Sequence, residues 1–271
     1  SGTYNESIVM KDGITLKGFG YENTILTNEI FPTNEMVFLI YSASNIVIEE
    51  LTLHFSSNSI ESYIIDVFYG EVSNIEFNNN KIILDCSNVL SQNYNYINNV
   101  SFNNNIFDID IENYNGYSVN MFEFEHPSSN INFIGNSFID IDMSKPLFIF
   151  RGVNYLVKNN IFKNIDVTGV IAIFSDGHNL TVEGNVFDNL YCNLNDPFSN
   201  SIFANIGGEQ NFVINNTINN VYTAVSNSFS DGGVIANNII SNCNYGIWDS
   251  NISGENYNNF WNNEINNCFG E

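Results

Sequence analysis

Phe102-Asn-Asn-Asn105-Ile-Phe107 is the stretch of sequence that determines the fold, because its pattern recurs along the chain. In each copy, an asparagine has an apolar residue three positions before it and another two positions after it. Eight copies occur at intervals of 22 to 31 residues, on Asn80, Asn105, Asn136, Asn160, Asn185, Asn216, Asn238 and Asn263. An earlier copy, Ile48-x-x-Leu51-x-Leu53, has leucine in place of the asparagine. Such regularity predicts a fold built from a repeating unit.

The spacing within each copy predicts a corner in the chain. Two positions five residues apart lie on opposite faces of a straight strand, so both can point into a core only if the chain turns between them. The Asn-Asn or Gly-Asn pair occupies that turn, and asparagine tolerates the left-handed backbone conformation that a sharp turn needs. In stacked coils, each asparagine amide would also bond to the equivalent amide one coil away.

A unit of about 25 residues with short strands and sharp corners is typical of one coil of a parallel β-helix. The chain shows no long segment with the 3.6-residue period of a helical repeat. Because the pattern continues throughout, we predict one all-β domain over residues 1–271, a single-stranded right-handed parallel β-helix (solenoid) of about ten coils. The longer intervals predict loop insertions near residues 54–62, 110–120 and 191–200.

The composition of the 271-residue chain excludes several classes of function. Seven basic and thirty acidic residues give a formal net charge of −23, and 53 residues are asparagine. So acidic a chain does not neutralise a run of phosphates, which excludes nucleic-acid binding. No segment approaches the roughly 18–20 apolar residues of a membrane span, so we expect no membrane insertion of this segment. The four cysteines lack the CxxC spacing of a zinc site.

Several stretches resemble known families. The Phe-x-x-Asn spacing resembles the repeats of chlamydial polymorphic outer-membrane proteins, and Gly232-Gly233-Val234-Ile235 is similar to the glycine motif of that family. Residues 2–20 are similar to the first coils of many pectin-lyase-like proteins. The acidic, asparagine-rich chain as a whole most resembles the adhesin-like β-helix proteins of gut methanogenic archaea. These resemblances imply a secreted module of a longer surface protein, and they transfer no catalytic residue.

The function that the resemblance implies is that of a non-catalytic, extracellular module at the cell surface. Its partner would be a cell-surface glycan or a protein receptor. Pectin-lyase-like folds also carry polysaccharide lyases and glycoside hydrolases, so an enzyme of either kind is the first alternative. A structural spacer, or a subunit of a tailspike-like oligomer, is the second alternative.

An enzyme would need a base and carboxylates beside one groove. Arg151 is the only arginine, and Arg151 and Asp176 each lie nine residues before a repeat asparagine, which predicts neighbouring positions in adjacent coils. His178 and the pair Glu123 and Glu125 complete the candidate catalytic set, because glycosidases use two carboxylates about 5–10 Å apart. The structural alternatives are an exposed ion pair between Arg151 and Asp176 and a turn position for His178.

Two acidic alternations, at residues 108–112 and 140–142, occupy similar places after the corner in adjacent coils. The stacked carboxylates of the candidate ligands would repel one another, and calcium would relieve that repulsion; these ligands are Asp108, Asp110, Asp140 and Asp142. The alternative is plain alternation of outward polar and inward apolar residues in a strand. No other cofactor or metal is predicted.

A partly apolar outer stripe is predicted on the strand upstream of each corner. If Phe122 and Phe124 point into the core, the same register places four apolar residues outside, namely Leu147, Ile149, Phe174 and Phe203. Such a stripe would bind a ligand or another protein. The alternatives are that an inserted loop covers it or that the register is different.

Cys243 and Cys268 each lie five residues after a repeat asparagine, which predicts that they stack in neighbouring coils. Adjacent strands are about 4.8 Å apart, close enough for a disulfide, and two buried free thiols are the alternative. Neither thiol is expected to be catalytic, because an isolated core cysteine lacks an activating base.

Overall fold

The computed structural model of the chain describes seventeen segments. They are residues 1–6, 8–27, 38–40, 42–56, 63–66, 71–85, 88–91, 97–109, 122–124, 127–143, 147–167, 173–175, 177–192, 201–205, 209–227, 233–249 and 255–269. These residues form strands, turns and bends. None of them belongs to a helix long and apolar enough to cross a membrane.

The described strands follow one another closely along the chain. They are β1 (Gly2–Asn5), β2 (Ile8–Met10), β3 (Thr15–Lys17), β4 (Thr24–Thr27), β5 (Phe38–Ile40), β6 (Ser44–Glu49), β7 (Thr52–Ser56), β8 (Tyr63–Asp66), β9 (Val72–Asn78), β10 (Lys81–Asp85), β11 (Asn88–Ser91), β12 (Ile97–Asn103), β13 (Ile106–Ile109), β14 (Phe122–Phe124), β15 (Ser129–Ile134), β16 (Ser137–Met143), β17 (Phe148–Phe150), β18 (Val153–Lys158), β19 (Ile161–Val167), β20 (Ile173–Ser175), β21 (His178–Glu183), β22 (Val186–Cys192), β23 (Ser201–Asn205), β24 (Phe212–Ile214), β25 (Thr217–Val221), β26 (Thr223–Asn227), β27 (Val234–Ala236), β28 (Ile239–Ser241), β29 (Tyr245–Asp249), β30 (Glu255–Asn256), β31 (Asn259–Trp261) and β32 (Asn266–Phe269).

Most consecutive strands belong to different sheets, and each strand pairs with strands one coil away. An eleven-stranded sheet has the order β1-β4-β7-β10-β13-β16-β19-β22-β25-β28-β31, a ten-stranded sheet β3-β6-β9-β12-β15-β18-β21-β24-β27-β30, and a nine-stranded sheet β32-β29-β26-β23-β20-β17-β14-β11-β8; β2 pairs with β5. The pairs are parallel throughout these sheets. This winding confirms the predicted parallel β-helix. Where the sequence predicts about ten coils, the three sheets stack eleven, ten and nine strands.

The repeat asparagines form an inner ladder between the ten-stranded and eleven-stranded sheets. Each Nδ2 donates to Oδ1 of the asparagine one coil further on, at 3.0–3.1 Å, along Asn80, Asn105, Asn136, Asn160, Asn185, Asn216, Asn238 and Asn258. The backbone N–H of Asn160 donates to the same Oδ1 of Asn185, at 2.8 Å, and its second Nδ2 hydrogen goes to the carbonyl of Phe133, at 2.9 Å. The buried amide is fully bonded, as a polar group in a core requires.

The two ends of the inner ladder differ from its middle. At the start, Leu51 replaces asparagine, and only its backbone N–H bonds to Asn80 Oδ1, at 3.3 Å. At the end, the ladder continues to Asn258 and not to Asn263, so the last copy of the repeat was assigned wrongly. Asn258 follows Asn238 by 20 residues, fewer than any interval in the predicted pattern. A repeat pattern derived from longer coils therefore places the last asparagine five residues too late, at Asn263 rather than Asn258.

The corner itself is made by the residue before each inner-ladder asparagine. The backbone φ of Asn79, Asn104, Gly135, Asn159 and Gly184 lies between 55° and 69°. This is the left-handed region that asparagine and glycine tolerate. The first residue of the predicted Asn-Asn or Gly-Asn pair therefore turns the chain, and the second places its amide inside.

Stacked phenylalanine rings fill the core between the sheets. Phe77, Phe102 and Phe133 form one column with ring centroids 4.8 Å apart. A second column with centroids 4.5–4.9 Å apart contains Phe107, Phe138, Phe162 and Phe187. Phe122 and Phe148, from the nine-stranded sheet, contact both columns edge-on. The coil spacing therefore coincides with a favourable distance for offset stacking of aromatic rings.

Candidate functional site

The nine-stranded sheet carries four of the residues proposed for function from the sequence, namely Glu123, Ile149, Phe174 and Phe203. Its register aligns Glu123, Ile149, Phe174 and Ala204 in one row. The adjacent row contains Phe122 and Phe148, both of which are fully buried, as predicted for Phe122. The first row is therefore the outer row of this sheet.

The predicted outer apolar stripe is wrong for Leu147 and Phe203, whereas Ile149 lies in the outer row as predicted. Leu147 precedes β17 and is 0% exposed, and Ile149 lies in the outer row but is only 7% exposed. Phe203 pairs with Ile173 and Val225, which places it in the inner row rather than the outer one. The prediction assumed a constant distance from the repeat asparagine, whereas coils of different length shift the register. The side chain of Phe174 is outside what the structure describes.

The predicted catalytic residues are only partly described. Asp176 and Glu125 lie outside the described residues, and the side chain of Glu123 is not described. Arg151 is half-buried directly after β17, and its N–H donates to the Phe124 carbonyl at 2.9 Å. The catalytic set therefore stays a prediction.

His178 is the first residue of β21, which corrects the expected turn position. Its side chain is exposed, and its Nδ1 accepts a hydrogen bond from the N–H of Glu209 at 3.1 Å. Its own N–H donates to the Gly152 carbonyl at 3.0 Å, so His178 lies in the coil next to Arg151. The imidazole thus connects two coils through a backbone contact.

The predicted calcium ligands have partners within the protein where they are described. Asp108 forms an ion pair with Lys81 at 2.8 Å, and Asp140 accepts a hydrogen bond from Asn164 at 2.7 Å. Asp142 is exposed, and Asp110 lies outside the described residues. The described part of the chain contains no group of three or more His, Cys, Asp or Glu residues that could hold a metal ion. Calcium binding stays a prediction.

Asp166 pairs in register with Asp142 on the outer face of the eleven-stranded sheet. Burial raises the pKa of Asp166, and the negative charge of Asp142 raises this pKa further. Its Oδ1 is enclosed and accepts no hydrogen bond within the described structure. This carboxylate therefore opposes folding when it is ionised.

We expect Asp166→Asn to stabilise the protein at pH 7, by less than about 1 kcal/mol because the side chain is only half-buried and solvent screens its charge. The folded chain holds this proton more tightly than the unfolded chain, so stability falls as the pH rises from below 3.8 through the raised pKa. Urea unfolding should show the gain at pH 7 and none at pH 3. Asp142→Asn should give a smaller gain, since burial is the larger cause; equal gains at both pH values would contradict this explanation.

Cys243 and Cys268 are not adjacent, contrary to the prediction. The N–H of Cys243 bonds to Asn263 Oδ1 at 3.0 Å, whereas Cys268 pairs with Ile247 in the nine-stranded sheet. The short last coil again explains the difference. Cys243 is a free, buried thiol, and burial raises its pKa to about 11. It is therefore protonated and unreactive at neutral pH.

Two outer ladders of asparagine run along the surface, and the repeat analysis missed them. The first outer ladder lies six positions before the inner one, on the ten-stranded sheet, and consists of Asn45, Asn74, Asn99, Asn130, Asn154 and Asn179. The second outer ladder lies four positions after it, on the eleven-stranded sheet, and consists of Asp140, Asn164, Asn189, Asn220, Asn242 and Asn262. Most neighbours within each ladder are joined by Nδ2-to-Oδ1 bonds of 2.7–3.1 Å. Counting asparagine at these offsets would have revealed both.

A left-handed residue within the strand accounts for the position of the outer-ladder amide, as β12 shows. In β12, Ile97 and Val100 are both buried although they are three residues apart. Asn99, between them, has a φ of 54° and is exposed. A left-handed residue inside a strand bends it and interrupts the alternation of inward and outward side chains. The left-handed residue thus presents the amide at the surface, while the buried residues on either side stay in register with the neighbouring coil.

A shallow, open groove of about 440 Å³ lies beside the first outer ladder. Its lining residues are Asn99, Asn130, Asn154 and Asn179 of that ladder, Asn132, Leu156 and Thr181 of the neighbouring row, and Tyr155. Tyr155 is buried, and its hydroxyl accepts a hydrogen bond from the Gly152 N–H at 2.7 Å. The groove is therefore lined mainly by amides and carries no carboxylate or ammonium group among its lining residues.

The sequence of this chain matches no family model and no curated protein, but its structure matches solved structures. The A-module of mannuronan C-5 epimerase AlgE4 from Azotobacter vinelandii is 13% identical with a TM-score of 0.59, and the match covers 99% of this chain and 85% of that one. The A-module of AlgE6 from the same organism is 11% identical with a TM-score of 0.55, covering 97% and 85%. The catalytic domain of a GH87 alpha-1,3-glucanase in complex with nigerose is 14% identical with a TM-score of 0.52, covering 98% and 60%. These matches show the parallel β-helix fold alone.

Proposed function

We propose that this chain is an extracellular, non-catalytic, adhesin-like module that binds a cell-surface glycan through a lateral face of the solenoid. The observation that carries the proposal is the amide-lined groove beside the first outer ladder. Amides both donate and accept hydrogen bonds, so they match sugar hydroxyls, which do the same. The groove has no carboxylate, histidine, lysine or cysteine among its lining residues, which suits binding without cleavage.

The names of the structural neighbours support a glycan as the ligand. One is an epimerase of mannuronan, and the glucanase structure contains nigerose. A pectin-lyase-like solenoid is thus a scaffold on which carbohydrates are bound, although a shared fold does not transfer an activity. A protein receptor or a spacer role is favoured if the screen below finds no glycan ligand, and a tailspike-like assembly is a further alternative.

An enzyme, either a polysaccharide lyase or a glycoside hydrolase, is the second candidate. The observation in its favour is that Arg151 and His178 lie in neighbouring coils, joined through the bond from the His178 N–H to the Gly152 carbonyl. An arginine beside a histidine would provide a charge and a proton acceptor for a uronate substrate. This candidate requires Arg151 for turnover, whereas the adhesin does not.

A screen of the purified protein against neutral and acidic polysaccharides from plants, mucins and microbes tests the proposal. Each polymer is assayed both for retention of the protein and for new reducing or unsaturated ends, with calcium and with EDTA. We expect retention without new ends. New ends that disappear in Arg151→Ala would establish the enzyme instead, and retention by no polymer would favour a protein receptor or a spacer.

A further inference from the structure

The side chains that line the groove beside the first outer ladder restrict the class of glycan that it can bind. We propose that it binds a linear, uncharged polysaccharide lying parallel to the solenoid axis, with about one sugar unit over each coil. This inference rests on the proposed function and adds to it a ligand class, an orientation and a set of residues. The charge of the protein, the hydrogen-bonding capacity and spacing of the ladder, and the apolar part of the groove lining support it.

The charge of the molecule disfavours an anionic ligand. The lining residues carry no lysine, arginine or histidine, and the chain as a whole has a net charge of −23. Nearby, on the same sheet, Lys158 is paired with Glu183 at 2.8 Å. A polymer of uronates would therefore meet repulsion without a compensating cation. An uncharged polymer avoids this cost.

The hydrogen-bonding capacity of the first outer ladder is only partly used within the protein. Asn154 donates one Nδ2 hydrogen to Asn130 Oδ1 at 3.1 Å, and its own Oδ1 accepts one from Asn179 at 3.1 Å. An amide has two N–H donors and two oxygen lone pairs, so one of each remains for an outside partner. The ladder amide of each coil can thus offer one N–H donor and one oxygen acceptor at the same level along the solenoid axis. A sugar hydroxyl pair can use both.

The spacing of the ladder suits a polymer rather than a single sugar. Neighbouring strands of a sheet are about 4.8 Å apart, so equivalent amides recur at that interval along the axis. This interval is close to the rise per sugar unit along an extended chain of pyranose rings. The ladder positions at Asn99, Asn130, Asn154 and Asn179 all line the groove. A chain lying across the coils would contact only one of these positions.

The row beside the ladder completes the surface. Its members Asn132, Leu156 and Thr181 follow one another in register across β15, β18 and β21. All three are half-buried, and Leu156 offers an apolar contact for the C–H face of a sugar ring. The groove has only this modest apolar area, so most of the selectivity comes from hydrogen bonds repeated over several coils.

Two glycine variants test the inference, with one as the matched control. Asn154→Gly removes an amide from the groove, and Asn220→Gly removes the equivalent kind of amide from the second outer ladder on the other sheet. The two asparagines have φ values of 62° and 53°, which glycine tolerates. Each is exposed and bonds to a neighbouring ladder asparagine, so both variants should fold equally well.

The probes are three insoluble neutral polymers (cellulose, alpha-1,3-glucan and mannan) and one acidic polymer (cross-linked polygalacturonate). We expect the wild type and Asn220→Gly to be retained equally on at least one neutral polymer, and Asn154→Gly to bind about tenfold more weakly, the loss of one net hydrogen bond. Equal binding by all three proteins would place the site elsewhere and leave the proposed function standing. Retention on polygalacturonate alone would contradict the uncharged ligand, and retention on none would contradict both proposals.

Discussion

Asn160→Asp is expected to destabilise the protein by about 3–5 kcal/mol, because it breaks the inner ladder at its centre. Aspartate has the same shape as asparagine and still accepts from the N–H and Nδ2 of Asn136, at 2.8 and 3.0 Å. It has no Nδ2 hydrogens, however, so the bonds to Phe133 O and Asn185 Oδ1 become contacts between oxygens. Losing these two buried bonds costs about 1–3 kcal/mol, although Asn185 Oδ1 keeps the bond from the backbone N–H of residue 160. The uncompensated charge of the buried carboxylate adds to that cost.

Urea unfolding followed by circular dichroism measures this effect at pH 7. The matched control is Asn154→Asp, which makes the same chemical change in the first outer ladder, where water replaces the lost bonds. We expect the control to cost less than about 1 kcal/mol. Similar costs for the two variants would show that the buried amides do not stabilise the stack more than the exposed ones do.

Gly152→Ala is expected to destabilise the protein by about 3 kcal/mol or more, because a methyl group has no room there. The added Cβ would overlap the carbonyl oxygen of Ser128 and lie 2.5 Å from Tyr155 Oη. The Ser128 carbonyl is fixed, since it accepts from the Val153 N–H at 3.1 Å. The overlap can therefore be relieved only if the backbones of the two coils move apart, because no flexible side chain can move instead.

Gly135→Asn is the control for the glycine prediction. Gly135 has a φ of 69° at the corner, where the neighbouring coils carry Asn104 and Asn159 with φ values of 55°. The nearest atom to an added Cβ belongs to the flexible side chain of Asn104. We expect a change in the free energy of unfolding within about 1 kcal/mol. A Gly152→Ala variant as stable as Gly135→Asn would refute the close approach of the two coils.

Much of the fold could be predicted because the inner ladder requires the same residue in every coil. An asparagine that bonds to its equivalent above and below cannot be replaced without loss, so it repeats visibly in the sequence, as at Asn105 and Asn136. The flanking apolar positions repeat for the same reason, since Phe102 stacks directly on Phe133. Local spacing therefore determines the corner and the core together.

The errors came from differences in coil length, which no local pattern reveals. The last coil advances by 20 residues from Asn238 to Asn258, which displaced the final repeat and separated Cys243 from Cys268. Register shifts also moved Phe203 into the inner row of the nine-stranded sheet. A side chain alternates faces with each residue, so a shift of one residue reverses the prediction.

The groove was missed because its parts do not repeat in the same way. The first outer ladder does recur at a fixed offset, as Asn154 and Asn179 show, and a search at that offset would have found it. The row beside it changes from asparagine to leucine to threonine at Asn132, Leu156 and Thr181. Only the stacking of coils brings these different residues to one surface, so the sequence could reveal the ladder but not the row that completes the groove.

The most direct test of the proposed role is a titration of the isotope-labelled protein with a neutral oligosaccharide, followed by nuclear magnetic resonance. The side-chain amide signals of asparagine report the groove, and the sugar signals in the same tube report cleavage. We expect the amide signals of Asn99, Asn130, Asn154 and Asn179 to shift while the sugar spectrum stays unchanged. Shifts centred on Arg151 and His178, with new anomeric signals from shorter products, would contradict the account and identify the chain as an enzyme.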